Sequence, residues 1–262
     1  MARVLITGGS GGLGGELVPR FRQAGYTVRI SSRRPAPPDA GAGLEWAQAS
    51  LETGVGLAEA VAGADLIAHA ASSPFRRTWQ VDVEGTRRLL EAAGAANTPH
   101  FFYISIVGVD RVPLPYYRAK LAAEKLIEES GVPCSILRAT QFDSLIDRFL
   151  RTLIRLPLAL VPKDLRFQPI DTGEVAERMV AAAANGPSGR LPDLGGPEVH
   201  TSGELARAWL KARGRRVALV HLPLPGKAAA AFRRGDLCTP NAEGKVTWAD
   251  WLARTYGGTG SA

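Results

Sequence analysis

The chain has 262 residues, of which 45% are hydrophobic and 22% charged, with 29 glycines, 18 prolines and a formal net charge of +7. That composition excludes disorder and fibrous repeats, and at this length one large domain, alone or with a small appendage, is the natural expectation. Such a chain buries enough surface to need no disulfide or metal staple. No apolar run approaches the roughly 20 residues of a bilayer span. The longest, Leu153 to Val161, is broken by Arg155 and Pro157, and Val4-Leu5-Ile6 is too brief for a signal-peptide core. Cys134 and Cys238 form no CxxC, and the four histidines (His69, His100, His200, His221) have no ligand spacing. Neither a metal nor a disulfide is expected, and a reduced, cytoplasmic protein without a membrane partner follows. From Arg190 onward there are eleven basic and six acidic residues. With no RNP motif, zinc-finger spacing or unbroken basic stripe, nucleic acid is set aside as a partner. Acidic small molecules account for the charge more simply.

In chain order, Arg3 to Thr7 is a short apolar strand closed by glycines, and Leu13, Leu17 and Phe21 mark one face of a helix over 13–24. Gly25 stops that helix, and a strand resumes over 26–31. The rhythm recurs as strand 44–49, helix 56–62, strand 65–70, helix 79–96, strand 100–107, helix 115–130 and strand 134–139. Strand and helix alternating at this spacing predict crossover units, hence an α/β, doubly wound parallel sheet of Rossmann-like type with helices on both faces. Beyond Arg138 the rhythm breaks. An amphipathic helix over 142–156 leads into a proline-containing loop through Pro157 and Pro162. Helix 170–185, strand 191–194, helix 201–213 and strand 217–222 follow, then two short helical pieces, the last anchored by Trp248, Trp251 and Leu252. Residues 1–140 are expected to form a dinucleotide-binding core. Residues 141–262 add the remaining sheet elements and a small C-terminal substrate cap within the same structural unit.

Thr7-Gly8-Gly9-Ser10-Gly11-Gly12-Leu13-Gly14 lies directly between the first strand and the first helix. It satisfies both GxGxxG and GxxGxxG. One glycine permits the tight turn, one lets backbone touch a pyrophosphate, and one lets helix and strand pack closely. Helix N-terminal amides then face the phosphates. After the second strand comes Ser32-Arg33-Arg34 with no acid before Asp39. An acid there would bond a ribose 2′-hydroxyl; guanidinium groups suit a 2′-phosphate instead. NADP(H) is therefore the expected cofactor.

These residues resemble the extended and atypical short-chain dehydrogenase/reductases. The resemblance is carried by the glycine turn, by Asp65-Leu-Ile-Ala-His-Ala-Ala71, by Asp82-Val-Glu-Gly-Thr-Arg-Arg-Leu-Leu-Glu-Ala-Ala93, by Tyr103-Ile-Ser105 and by Tyr116-Tyr-Arg-Ala-Lys120. It continues weakly through Gly131 to Arg138 and Ile170 to Ala176, and the C-terminal part looks most like the NmrA-like, NAD(P)H-binding branch. The family implies a Ser-Tyr-Lys arrangement of Ser105, Tyr116 and Lys120. Lysine holds the nicotinamide ribose and lowers the tyrosine pKa; tyrosine exchanges a proton with the substrate oxygen. Tyr116 and Lys120 are one helical turn apart, and Tyr117 is an alternative acid. Ser50-Leu51 replaces the Asp-Leu pair that usually holds adenine, and Asp82 occupies a position often filled by Asn. Ala70, Ala71 and Ser72, after the fourth strand, would line the cofactor, and Gln141 and Phe142 would contact the nicotinamide or the substrate. His69 is structural or lines the cleft, Phe75 and Trp79 cover a pocket or pack a loop, and Cys134 is inert core.

The leading expectation is an NADPH-dependent oxidoreductase passing hydride to a carbonyl, quinone or activated alkene with Tyr/Lys-assisted proton transfer. The alternatives are a non-catalytic NmrA-like NADP(H)-binding redox sensor, and a sugar-type epimerase or dehydratase with bound cofactor. A small molecule is the expected partner; the oligomeric state is not readable.

Overall fold

The computed structural model describes residues 1–37, 43–154 and 158–257. Asp39, Arg155, Pro157 and Leu156, the expected end of the helix from Phe142, lie outside the described residues. The elements in chain order are β1 (Arg3–Thr7), α1 (Gly12–Gln23), β2 (Thr27–Ser32), β3 (Leu44–Gln48), α2 (Leu57–Val61) and β4 (Leu66–His69). A π-helical stretch, Trp79–Glu84, leads into α3 (Gly85–Ala95), followed by β5 (Phe101–Ile106), α4 (Pro115–Glu129) and β6 (Cys134–Ala139). Then come α5 (Asp143–Leu153), β7 (Leu158–Pro162), β8 (Arg166–Phe167), α6 (Thr172–Ala183), β9 (Gly189–Arg190) and β10 (His200–Thr201). The chain ends with α7 (Ser202–Ala212), β11 (Ala218–Leu222), α8 (Lys227–Arg234) and α9 (Trp248–Tyr256).

Two compact units interleave along the sequence: Met1–Ser105 with Pro115–Leu137 and Val175–Pro192, and Ile106–Leu114 with Arg138–Glu174 and Asp193–Ala262. The first is built on a seven-stranded parallel sheet in the order β3-β2-β1-β4-β5-β6-β9, a Rossmann-like fold. Because side chains alternate along a strand, Leu5, Ile67, Phe101, Tyr103 and Ile136 share one face. They pack with Leu57 and Val61 of α2, Leu89 and Ala93 of α3, and Ala123 and Ile127 of α4. Val4 and Ile6 point the other way and are fully buried; α1 buries Leu13, Leu17 and Phe21 on one stripe. Strands covered on both faces read as continuous apolar runs, which is how β1, β4 and β5 look in sequence. The sheet order reverses beside β1: β2 lies on one side and β4 on the other.

The second unit has its own core, with Ile146 and Leu150 of α5, Leu205 and Trp209 of α7 and Trp248, Trp251 and Leu252 of α9. Both α7 and α9 begin with capping boxes, Thr201/Glu204 and Thr247/Asp250, which satisfy first-turn amides. Here the structure departs from the expected loop through Pro157 and Pro162. Residues 158–162 form β7, parallel to β11, and Ala159 and Val161 are buried while Leu160 is 47% exposed. Two prolines suggest a loop. Pro162, however, ends the strand, and pairing resumes with the Lys163 amide donating to the Leu222 carbonyl at 2.8 Å. The strand expected at 191–194 is displaced to Gly189–Arg190, with Pro192 interrupting and Leu194 making one isolated bridge to Ala139.

Trp209 is 0% exposed and donates its indole N–H to Asp147 at 2.7 Å; Arg151 and Tyr256 donate to the same carboxylate. Trp209→Phe keeps most of the apolar contact but removes that donor, and a hydrogen bond to a charged group contributes about 1.5–3 kcal/mol. Chemical denaturation should show a loss of about that size with little change in m-value.

Candidate active site

The turn between β1 and α1 is held by close backbone approach. Gly8 has φ +72°, and a Cβ there would lie 2.8 Å from the Ala71 amide nitrogen and Cα; a Cβ on Gly14 would lie 2.1 Å from the Gly8 carbonyl oxygen. Gly9 is pressed against Ile30 of β2. The Gly11 amide closes the turn by donating to the Gly8 carbonyl at 2.8 Å. Gly11 then N-caps α1 with no side-chain acceptor, and no acid stands in the first turn. The first-turn amides of α1, those of Gly12, Leu13 and Gly14, therefore have no intrahelical partner and favour an anion.

Buried polar groups lock this turn to the next loop. Thr7 Oγ1 is 2.6 Å from His69 Nδ1, and His69 Nε2 is 3.0 Å from Thr86 Oγ1. Thr86 donates to the Asp82 carbonyl at 2.7 Å, so it accepts from His69 and the imidazole proton sits on Nε2. Nδ1 then accepts from Thr7, whose oxygen also accepts the Ala71 amide at 3.3 Å. Burial, assisted by the Lys120 charge, pushes the His69 pKa down to about 3, so the ring is neutral. It is structural, and it sets the height of the loop that faces the glycines.

A cavity of about 570 Å³ opens where the sheet order reverses. It is lined by Thr7, Gly8, Ser10 and Gly11 after β1, by Ser31 to Pro35 after β2, by Trp46, Ala49, Leu51 and Glu52, and by Ala70 to Ser73 after β4. Ligands of such sheets bind at this switch point. Ser50, between Ala49 and Leu51, is turned into its own bend and accepts from the Thr53 amide. Gly9, Gly12, Leu13 and Gly14 shape the turn and do not line the cavity. Arg33 and Arg34 are exposed, and neither guanidinium is paired with an acid among the described residues. Their carbonyls instead take the Gln48 amide and the Trp46 indole. The acid that lines the cavity, Glu52, is ion-paired with Arg77. Ser31, Trp46 and Ser73 are lining residues that reasoning from sequence missed; Ser31 carried a signal, standing at the end of β2 beside the expected contact Ser32.

Over β5, the Lys120 ammonium is buried, donates to the Ile104 carbonyl at 2.7 Å and lies 4.1 Å from the centre of the Tyr103 ring. Burial lowers its pKa to about 8, with Asp82 and Glu124 opposing the shift. Ser105 shares the Tyr103 face of β5 by alternation; its hydroxyl is buried and has no partner among the described residues. Tyr116 sends its hydroxyl to Ser72 Oγ at 2.9 Å, and Ser72 donates to buried Asp82. Tyr117 is buried, with its ring edge-on to that of Tyr116, so of the two tyrosines Tyr116 reaches the cavity loop. Without cofactor, burial pushes the Tyr116 phenol up to about 12; the hydrogen bond with Ser72 opposes the shift and the Asp82 charge adds to it. The phenol is therefore in its protonated form.

Phe75 and Trp79 are exposed. In the second unit, Gln141 is buried and its amide is fully engaged, donating to the Leu237 carbonyl at 2.9 Å and accepting the Gln168 amide at 3.0 Å. Phe142 N-caps α5 and bridges to Ile170. Among the described residues there is no group of three His, Cys, Asp or Glu placed to hold a metal ion, and no helix is long and apolar enough to cross a membrane.

The family model described as NAD(P)H-binding matches residues 8–185. A 3-beta-hydroxysteroid dehydrogenase of Mycolicibacterium neoaurum is 31% identical over 52% of this chain, and the match spans 46% of that enzyme, under half its length. A (4-alkanoyl-5-oxo-2,5-dihydrofuran-3-yl)methyl phosphate reductase of Streptomyces griseus subsp. griseus is 28% identical over 81% of this chain and 74% of its own. Among solved structures, an NADPH-dependent quinone oxidoreductase of Escherichia coli complexed with NADPH superposes with a TM-score of 0.82. That match covers 97% of this chain and 99% of that one at 18% identity, a likeness of fold.

Neutral buried His69 makes stability pH-dependent. Its folded pKa of about 3 lies below the unfolded value near 6.5, so between those values the unfolded chain binds the extra proton and stability falls as the pH drops. Urea unfolding at pH 7, 6 and 5 should show a progressive loss. His69→Asn should be less stable at pH 7 yet flatter across this range.

Proposed function

Because the chain belongs to the NAD(P)H-binding family, we propose that it is an NADPH-dependent oxidoreductase that reduces a carbonyl, quinone or activated alkene. The observation that carries this reading is the pairing on α4 of a protonated Tyr116, bonded to the cavity loop through Ser72, with buried Lys120 one turn on. The residues fit the cofactor class. A Cβ-free cradle at Gly8 and the uncapped start of α1 suit a pyrophosphate. Ser32, Arg33 and Arg34 on the cavity rim would take a 2′-phosphate, because guanidinium forks match phosphate oxygens. When bound, the reduced nicotinamide supplies the hydride.

Lys120 has three ammonium donors and spends one on Ile104, which leaves two for ribose hydroxyls. Tyr116 delivers a proton to the substrate oxygen as charge develops there, and Ser105 offers a second hydroxyl. The dehydrogenase and reductase among the relatives support hydride chemistry; the substrate class comes from the acid the site presents.

NADPH oxidation with a panel of quinones, aldehydes and enones tests the reading. Tyr116→Phe and Lys120→Ala should each cut kcat/KM at least 100-fold, consistent with the 10²–10⁴ ascribed to positioned acids. NADPH binding with turnover indifferent to both substitutions would sink it. Replacing Arg33 and Arg34 together with Ala should weaken NADPH at least tenfold while sparing NADH. The Lys120 ammonium, with a pKa lowered by burial to about 8, is present below that pH and lost above it. The kcat/KM profile should therefore fall as pH rises through about 8, and Lys120→Arg should move that limb upward.

A further inference from the structure

Asp82 stands in the π-helical stretch before α3 and is 1% exposed. Both of its carboxylate oxygens are used. Oδ1 accepts the Ser72 hydroxyl at 2.5 Å, and Oδ2 accepts the Ser73 amide at 2.9 Å. A serine hydroxyl has one proton to give and lone pairs to receive with. Because Ser72 gives its proton to Asp82, the 2.9 Å contact with Tyr116 leaves Ser72 as acceptor and Tyr116 as donor. The π turn supports this geometry by packing against α4. Among the described residues, the titratable groups coupled to Asp82 include the Tyr103 phenol on β5, the Tyr116 phenol and the Lys120 ammonium, and Lys120 is in turn coupled to Glu124 one turn further along α4 and to neutral His69. Asp82 thus places a buried negative charge one hydroxyl away from the phenol.

We propose that Asp82, acting through Ser72, is a positioning residue that holds the Tyr116 phenol in its protonated form until a substrate oxygen replaces Ser72 as the acceptor of its O–H. This rests on Tyr116 being the acid of the proposed reaction. In that step NADPH, when bound, would supply the hydride for the new C–H bond and leave as NADP⁺, while the substrate C=O electron pair would move to oxygen. The Tyr116 O–H bond would break as the product O–H forms, its electron pair remaining as phenolate. A proton from solvent in the open cavity restores the phenol, so one hydride and one proton are consumed per turnover. Asp82 and Ser72 exchange no atoms; they fix which state the phenol returns to.

The test reads the phenol directly, without cofactor. Ultraviolet titration of each variant against its own Tyr116→Phe background isolates one of five tyrosines. Asp82→Asn should lower the Tyr116 titration by at least one pH unit, a tenfold rise in acid dissociation. An unchanged titration in a protein with native circular dichroism overturns the proposal. Ser72 is exposed, so Ser72→Ala is expected to fold whatever happens at Asp82. It should lower kcat at least tenfold, and Ser72→Thr, which keeps the hydroxyl, should restore it. A Ser72→Ala enzyme with full kcat also overturns the proposal. Turnover that survives Tyr116→Phe removes the acid role itself, an outcome separate from the titration, which still reports whether Asp82 governs the phenol.

Discussion

No side chain fits between the backbone of Gly8 and that of Ala71, and the cavity at the sheet's switch point depends on that contact. A Cβ at position 8 would collide with the Ala71 amide nitrogen and Cα, and Gly8 already holds a positive φ. The contact is maintained from behind by Thr7, His69 and Thr86, which tie the end of β1 to the end of β4 and to α3 through hydrogen bonds with every proton assigned. In a dry interior such a network is stable only when all its members are satisfied, and the neutral imidazole is the form that satisfies it. The same frame fixes Ala71, hence Ser72 and Ser73, and so the loop that meets Tyr116.

Most of the sheet was legible because parallel strands buried on both faces announce themselves as apolar runs, and the helices between them carry one-sided periodicity. The glycine turn was legible for a different reason: Gly8 and Gly14 stand where close backbone approach forbids anything larger. The links that make the site were hidden. Ser72 and Tyr116 are 44 residues apart, Thr7 and His69 are 62 apart, and neither spacing has a local signature. Asp82 looked like a departure from a familiar pattern, and only burial shows that its carboxylate is fully used. Gln141, at the end of β6, had the address of a ligand contact. Its amide instead spans Leu237 and Gln168, two backbone partners distant in sequence. Two-residue strands such as β8 and β10 are too short to carry any period.

The net charge of +7 divides once partners are known. Much of the C-terminal excess is spent on structure. Arg190 pairs with Glu124 and Glu128, Arg254 with Asp171, and Arg234 with Asp236. Arg215 donates to the Ile154 carbonyl, and Arg213 stacks over Trp209 and Tyr256. The more exposed of these pairs, such as Arg190 with Glu128, contribute little each. They do remove those cations from any account of ligand binding, and Arg33 and Arg34 stand apart on the rim of a cavity with an uncapped helix start.

Burying charge is costly unless each ion finds a partner, yet the first unit buries Asp82, Lys120 and Glu124 together. They alternate in sign: Asp82 beside the Lys120 ammonium, Glu124 one turn beyond it, and Arg190 of β9 at the far end, 3.1 Å from Glu124. A core of leucine at these positions would fold with less expense. The arrangement is the one expected if Tyr116 and Lys120 have the roles proposed for them. Lys120 must stay charged while dry, which the flanking carboxylates favour against desolvation. Burial keeps the Tyr116 phenol protonated, and the nearer carboxylate adds to that effect. One acid, Asp82, thus raises the affinity of both α4 groups, Tyr116 and Lys120, for their protons.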